Sequence, residues 1–210
     1  AGHYDYVSGM PSDQYETFKD LDNISLLGLM TNSISYTGFN VGHFDAAKGE
    51  HVIDPSKKMN DVALRKAVAY AIDNDTIGKD TYHGLSVRAN TLLSPFFKGV
   101  YVGKDVVPGF EYNPEKAKEI LKEAGYKDVD GDGLVEDKEG KPLVINFLAA
   151  KGSETAEAVL QQYLTWWKEV GLNVQLLTGR TLDFQTYAEK LQKTLGELPV
   201  FLMTIVGTNG

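Results

Sequence analysis

The pattern of apolar and polar positions is clearest from residue 60 onward. Leu64, Ala67, Val68, Ala71 and Ile72 fall at the i, i+3, i+4, i+7, i+8 spacing of one buried helix face. Asn60 or Asp61 is placed to cap this helix and Asn74-Asp75 to end it, so a helix is predicted over 64–77. A second helix starts at Asn113-Pro114 and stops at Gly125, with Ala117, Ile120, Leu121 and Ala124 as its apolar stripe. Leu143 to Ala149 reads as a buried strand. Ser153 then caps a helix with the stripe Ala156, Val159, Leu160, Tyr163, Leu164 and Trp167, closed by Gly171. Of the adjacent Trp166 and Trp167, one can face the core, and the stripe selects Trp167. Leu172, Val174 and Leu176 alternate as a strand. Thr181 is the expected cap of a helix through Phe184, Tyr187 and Leu191, and Pro199 to Val206 is the last apolar run. Strand–helix–strand–helix–strand makes two βαβ units, so these three strands should run parallel.

The first half is less regular. A short helix is predicted after Pro11-Ser12, using Met10, Tyr15 and Phe18. Two strand-like runs, Ile24 to Met30 and Ser33 to Val41, flank Thr31-Asn32 and suggest a hairpin. Gly42 to Lys58 reads as a polar loop. Residues 75 to 82 fit another helical turn or two before Gly84. Leu85 to Phe110 holds Pro95, Pro108, Gly99, Gly103 and Gly109, the composition of a long ordered surface loop.

Composition narrows the function classes. The chain has 210 residues, 21 Lys plus Arg against 29 Asp plus Glu, and a formal net charge of −8. That balance argues against nucleic acid, whose phosphates call for a basic face. No apolar run approaches the ~18 residues that span a bilayer. There is no cysteine, which excludes disulfides, thiol catalysis and Cys-based zinc sites. A chain of this length buries about 70% of its extended-chain surface, enough for one generous domain.

Three sequence words carry a resemblance. Leu64 to Ile77, LRKAVAYAIDNDTI, closely resembles the "vRqAlsyAID" helix of the peptide-binding lipoproteins that serve ABC importers. These form the oligopeptide/dipeptide/nickel class of solute-binding proteins. Tyr112 to Gly133, YNPEKAKEILKEAGYKDVDGDG, looks like the downstream helix and turn of the same family, and Phe39-Asn40 precedes the first word at about the usual distance. The resemblance implies an α/β fold of the periplasmic-binding-protein type II kind, a mixed sheet with flanking helices. Members are more than twice this length and two-lobed, so residues 1–210 are expected to be a single lobe, the second. Ala1-Gly2-His3-Tyr4 lacks the basic and apolar regions of a signal peptide.

The implied function is capture of extracellular oligopeptides between two lobes that close about a hinge, for delivery to an ABC permease, without catalysis. It implies a monomer at the cell surface or in the periplasm, its parent lipid-anchored. Tyr36, Phe39 and Asn40 end a strand near where the family's cleft opens, and Arg88, Asn90 and Ser94 occupy a stretch near the ligand. The family's acidic contact for the peptide amine follows the last strand of this lobe, where this chain reads IVGTNG and carries no carboxylate. Two other classes stay open: a calcium-stabilised extracellular interaction module, and a hydrolase lobe with unidentified carboxylates.

Candidate chemistry is concentrated in one loop. Asp128 to Glu139, DVDGDGLVEDKE, matches D-x-D-x-D-G-x5-E in full. Calcium takes about six to eight oxygens, which Asp128, Asp130, Asp132, the Leu134 carbonyl, Glu136 through water, and Glu139 would supply. Gly133 stands where such a loop turns sharply. The exit, Lys138-Glu139-Gly140-Lys141-Pro142, leads into a strand instead of a second helix. The same residues also suit a tight acidic turn, in which Asp side chains bond to nearby backbone and Gly takes left-handed φ. No other cofactor is indicated. His3, His43, His51 and His83 lie in loops without metal-ligand spacing, no G-x-S-x-G elbow occurs, and no catalytic residue is assigned.

Overall fold

The computed structural model describes residues 4–29, 31–45, 47–197 and 201–206. Met30, Pro199 and the stretch 207–210, on which the expectation of a missing carboxylate falls, lie outside the described residues.

The sheet is mixed. Strands β1 (Ser35–Phe39), β4 (Val144–Leu148), β5 (Asn173–Leu176) and β6 (Phe201–Val206) lie in the order β1-β6-β4-β5. β4 is parallel to both β5 and β6, as the two βαβ units require, while β1 runs antiparallel to β6. Leu143, Ile145, Phe147 and Ala149 belong to the main core, and Leu148 to a smaller cluster with Leu182 and Tyr187. β4 is therefore covered on both faces, which accounts for its unbroken apolar run.

The helices follow their caps. Asp61 caps α2 (Val62–Tyr70) by accepting the Ala63 N–H at 2.8 Å, and Leu64, Ala67 and Val68 are buried. Asp73 caps a short turn, α3 (Asn74–Thr76), which widens into a π-helical turn over Ile77–Thr81. Asn113 caps α4 (Pro114–Glu123) through the Lys116 N–H. Its own N–H donates to the Tyr70 carbonyl at 2.8 Å, so the end of α2 is tied to the start of α4. Ser153 caps α5 (Glu154–Glu169), whose Trp167 is fully buried, while Trp166 packs beside Tyr112. A short α1 (Tyr15–Phe18) stands where the sequence places it. Among the described residues, no helix is long and apolar enough to cross a membrane.

Four expectations are corrected. Residues 23–29 form no strand, and β1 pairs with β6 instead of with a preceding run. The span read as a polar loop contains a hairpin of β2 (Gly42–Asp45) and β3 (Glu50–Ile53), turned by Asp45 and Gly49. Gly42 is required there, because a Cβ would meet the Val52 carbonyl oxygen at 1.9 Å. α6 (Phe184–Glu197) is capped by Asp183, not Thr181: its carboxylate accepts from the Thr186 N–H and hydroxyl. Phe184, assigned to that helix's apolar stripe, is 69% exposed.

Candidate functional site

β4, β5 and β6 all point their carboxyl ends to one edge of the sheet. In open α/β sheets that edge is where ligands bind, because loops and helix N-termini converge there. Past β4 the chain stays paired: Ala150 bridges Leu182, the Lys151 N–H donates to the Leu182 carbonyl, and the Leu182 N–H donates to that of Ala149. The path joins the β5–α6 connection to the β4–α5 connection. It leaves a cavity of ≈ 340 Å³ lined by Lys151, Arg180, Thr181, Leu182 and Asp183. Lys151 and Arg180 are exposed, and neither pairs with a carboxylate among the described residues. Asp183, the cap of α6, puts a carboxylate in the same lining.

The residues singled out from sequence fall in three places. Tyr36 is 40% exposed and lies at the carboxyl edge, since it pairs with Ile205 near the end of β6. Phe39 pairs with Leu202 at the other end and packs against the main core. Asn40 is buried beside it, and its Oδ1 accepts the Gly42 N–H that starts β2. Arg88 and Asn90 share the long loop and hold it together. The Arg88 guanidinium is buried and donates to Asp75 at 3.0 Å, to the Pro108 and Phe110 carbonyls, and to Glu111. Asn90 donates to the Val102 and Val107 carbonyls and accepts from the Tyr101 hydroxyl. Ser94 donates to the Thr31 carbonyl and so ties the loop to the approach to β1.

In the acidic loop, Asp128, Asp130 and Glu136 bring ligand oxygens within 4.8 Å of one another. Asp132 and Glu139 are outside that group. The carboxylates are engaged with the loop's own backbone. Asp128 accepts from Gly131 and Gly133, Asp130 from Asp132, Asp132 from Leu134, and Glu136 from Val129. The Leu134 segment docks through the Val135 N–H on the Gly171 carbonyl, at the end of α5.

Sequence reasoning passed over Lys151 and Arg180. The signal was present: each follows a strand expected to be parallel, and the rule for open α/β sheets directs attention to that end.

Comparison with known proteins agrees with the architecture. Oligopeptide-binding protein OppA of Lactococcus lactis subsp. cremoris (strain SK11) is 33% identical over 189 residues, covering 90% of this chain and 31% of its own length. The structure of lactococcal OppA, complexed with an endogenous peptide in the closed conformation, matches with a TM-score of 0.82 at 30% identity, over 94% of this chain and 36% of that one. A mannohexaose-bound periplasmic oligopeptide-binding protein from Thermotoga maritima matches with a TM-score of 0.64 at 26% identity, over 95% of this chain and 34% of the other. The chain thus spans about a third of the length of the relatives it matches. Residues 1–209 fit the family described as bacterial extracellular solute-binding proteins, family 5 Middle, and the chain belongs to that family.

Proposed function

We propose that this chain is one lobe of the solute-binding component of an ABC importer, which captures extracellular oligopeptides and passes them to a membrane permease. The observation that carries the reading is the carboxyl edge of the sheet, in a fold close to that of lactococcal OppA with its bound peptide. One lobe supplies one wall of the site. A second lobe would close over it, contribute about half of the contacts and exclude water. The task is reversible binding, so the chain acts without turnover, as a monomer, outside the cytoplasmic membrane.

Binding by a single wall should be weak. Losing half of the ~8 kcal/mol of a micromolar complex leaves about 4 kcal/mol, or millimolar affinity. Deletion of the gene in its native host, read as uptake of a labelled pentapeptide, tests the proposal. Loss of uptake is the expected result. A second reading is favoured by the mannohexaose in the Thermotoga neighbour: an oligosaccharide as cargo. Retained pentapeptide uptake with lost oligosaccharide uptake would assign the protein to that class.

A further inference from the structure

We propose that Asp128 locks two Asp-Gly links, Asp130-Gly131 and Asp132-Gly133, against rearrangement to isoaspartate, and that these links are the chain's sites of spontaneous covalent modification once the lock opens. They are the only Asp-Gly pairs in the sequence. The amide nitrogen that follows an aspartate can attack that residue's Cγ, and glycine leaves the approach unhindered because it has no Cβ. The carboxyl hydroxyl and the amide proton leave as water, and a cyclic imide forms. Water then opens the imide at either carbonyl. One opening returns aspartate; the other gives isoaspartate, with the main chain routed through Cγ. The atoms balance with water alone, and no oxidant or reductant takes part. Both links are exposed, so burial does not protect them.

Protection comes from hydrogen bonds to the attacking atoms. The Gly131 N–H donates to Asp128 Oδ1 at 2.7 Å, and the Gly133 N–H donates to Asp128 Oδ2 at 2.9 Å. One carboxylate thus holds both nucleophiles through charge-assisted bonds, and a held nitrogen resists losing the proton that attack requires. The electrophiles are held as well: Asp130 accepts the Asp132 N–H at 3.1 Å, and Asp132 accepts the Leu134 N–H at 2.7 Å. Glu136 accepts the Val129 N–H at 2.7 Å, so each of Asp128, Asp130 and Asp132 is followed by an amide that a different carboxylate engages. Main-chain bonds close the loop around these contacts, from the Val135 N–H to the Gly171 carbonyl at 2.8 Å and from the Glu136 N–H to that of Lys127 at 2.9 Å. An isoaspartate would add a methylene to the main chain inside this closed loop and strain both. Reaction proceeds from the opened loop, so its rate follows the open population.

Ageing the chain at neutral pH in water enriched in heavy oxygen tests the lock, because every imide that opens takes one oxygen from solvent. Trypsin releases residues 128–138, and fragmentation in the mass spectrometer assigns label and isoaspartate to 130 or 132 separately. The free peptide of the same sequence gives the unprotected rate. The unaltered chain should label more slowly than the peptide at both links. Asp128→Ala should raise both rates by about tenfold, the scale of one lost charge-assisted contact. Asp128→Asn keeps one accepting oxygen, so it should raise the rate at one link and spare the other. Glu136→Ala frees the Val129 N–H alone and should leave both Asp-Gly rates near those of the unaltered chain. Circular dichroism checks that each variant is folded. Labelling of the unaltered chain at the peptide's rate overturns the lock without any variant. Equal acceleration by Glu136→Ala and Asp128→Ala also overturns it and assigns the protection to general rigidity of the loop. Unchanged rates in both Asp128 variants overturn it as well.

Discussion

The indole N–H of Trp167 donates to the main-chain carbonyl of Val68 at 3.1 Å, across 99 positions of sequence. Both residues are buried to 1% exposure or less. α2 ends at Tyr70, so the Val68 carbonyl is among the last four that a helix leaves without an intrahelical donor. Trp167 satisfies it from α5 while its ring packs edge-on to Phe147 of β4 at 5.5 Å. One side chain thus fastens two helices and the sheet.

Trp167→Phe should keep most of the apolar volume and remove the donor. The orphaned Val68 carbonyl costs about 1–3 kcal/mol, and the smaller ring adds to that. At about 2–4 °C per kcal/mol for a domain of this size, the melting temperature should fall by several degrees. Thermal unfolding by circular dichroism checks it. An unchanged midpoint would mean that the carbonyl is satisfied in some other way.

Asp61 gives a pH dependence of known sign. It caps α2, accepts the Tyr126 hydroxyl at 2.9 Å and pairs with Lys138 at 2.6 Å. Burial pushes its carboxyl up, but the bonds from Lys138, Ala63 and Tyr126 outweigh burial and hold it below the usual range. As pH falls, the unfolded chain therefore takes up this proton first, at about pH 4. The Asp61 contribution is whole above that pH and is lost as pH drops through the folded value. Asp61→Asn can still cap the helix but loses the charge, so it should cost about 1–2 kcal/mol at pH 7. Denaturant melts from pH 7 to pH 3 should show the gap between the two proteins closing on the acid side. A gap that widens there contradicts the assignment.

Arg88 is the keystone of the 85–110 loop. Its fork reaches Asp75, Pro108, Phe110 and Glu111 at once, a geometry that a single ammonium does not reproduce. Arg88→Lys should leave the α/β body folded and loosen the loop, raising the rate of proteolytic cleavage between 89 and 107 by about tenfold for each ~1.4 kcal/mol lost. Mapping the first cuts by mass spectrometry decides it. Cleavage that still starts elsewhere at the parental rate would remove Arg88 from this role.

The second half of the fold was legible because its signals are local. Asp61, Asn113 and Ser153 cap the helices that their positions announced, and Trp167 is the buried member of its pair. β1 was expected as a strand but given the wrong partner, because its true partner is remote: Ser35 pairs with Val206, not with a neighbour in sequence. The β2–β3 hairpin escaped notice because it is largely exposed and lacks an alternating apolar face. Thr181 and Asp183 are both good caps two residues apart, and only tertiary pairing of Leu182 with Ala149 and Ala150 puts the start of α6 after the second. Of the site, Tyr36, Phe39 and Asn40 were expected together at one strand end, whereas Tyr36 and Phe39 lie toward opposite ends of β1, and the clamping roles of Arg88 and Asn90 depend on carbonyls 12 to 22 positions away that no local pattern reveals.

The acidic loop allows the last test. A full calcium set would draw in Asp132 and Glu139, yet the close group is Asp128, Asp130 and Glu136, and their oxygens already accept backbone N–H groups. The loop is thereby closed as a turn by its own side chains. Gly133 supports this with φ +88° and nothing within 4 Å of where a Cβ would stand. Gly133→Val should then cost about 1–2 kcal/mol from the left-handed backbone conformation, since the added Cβ itself meets no neighbour. Asp128→Ala should cost a similar ~1–2 kcal/mol by freeing the Gly131 and Gly133 donors. Melts in calcium and in chelator should superimpose. Calcium at 100-fold over its dissociation constant would instead add about 2.7 kcal/mol and raise the midpoint by several degrees. If that rise appears and Asp130→Asn with Glu136→Gln abolishes it, the loop is a metal site and its internal hydrogen bonds are the resting state that calcium displaces.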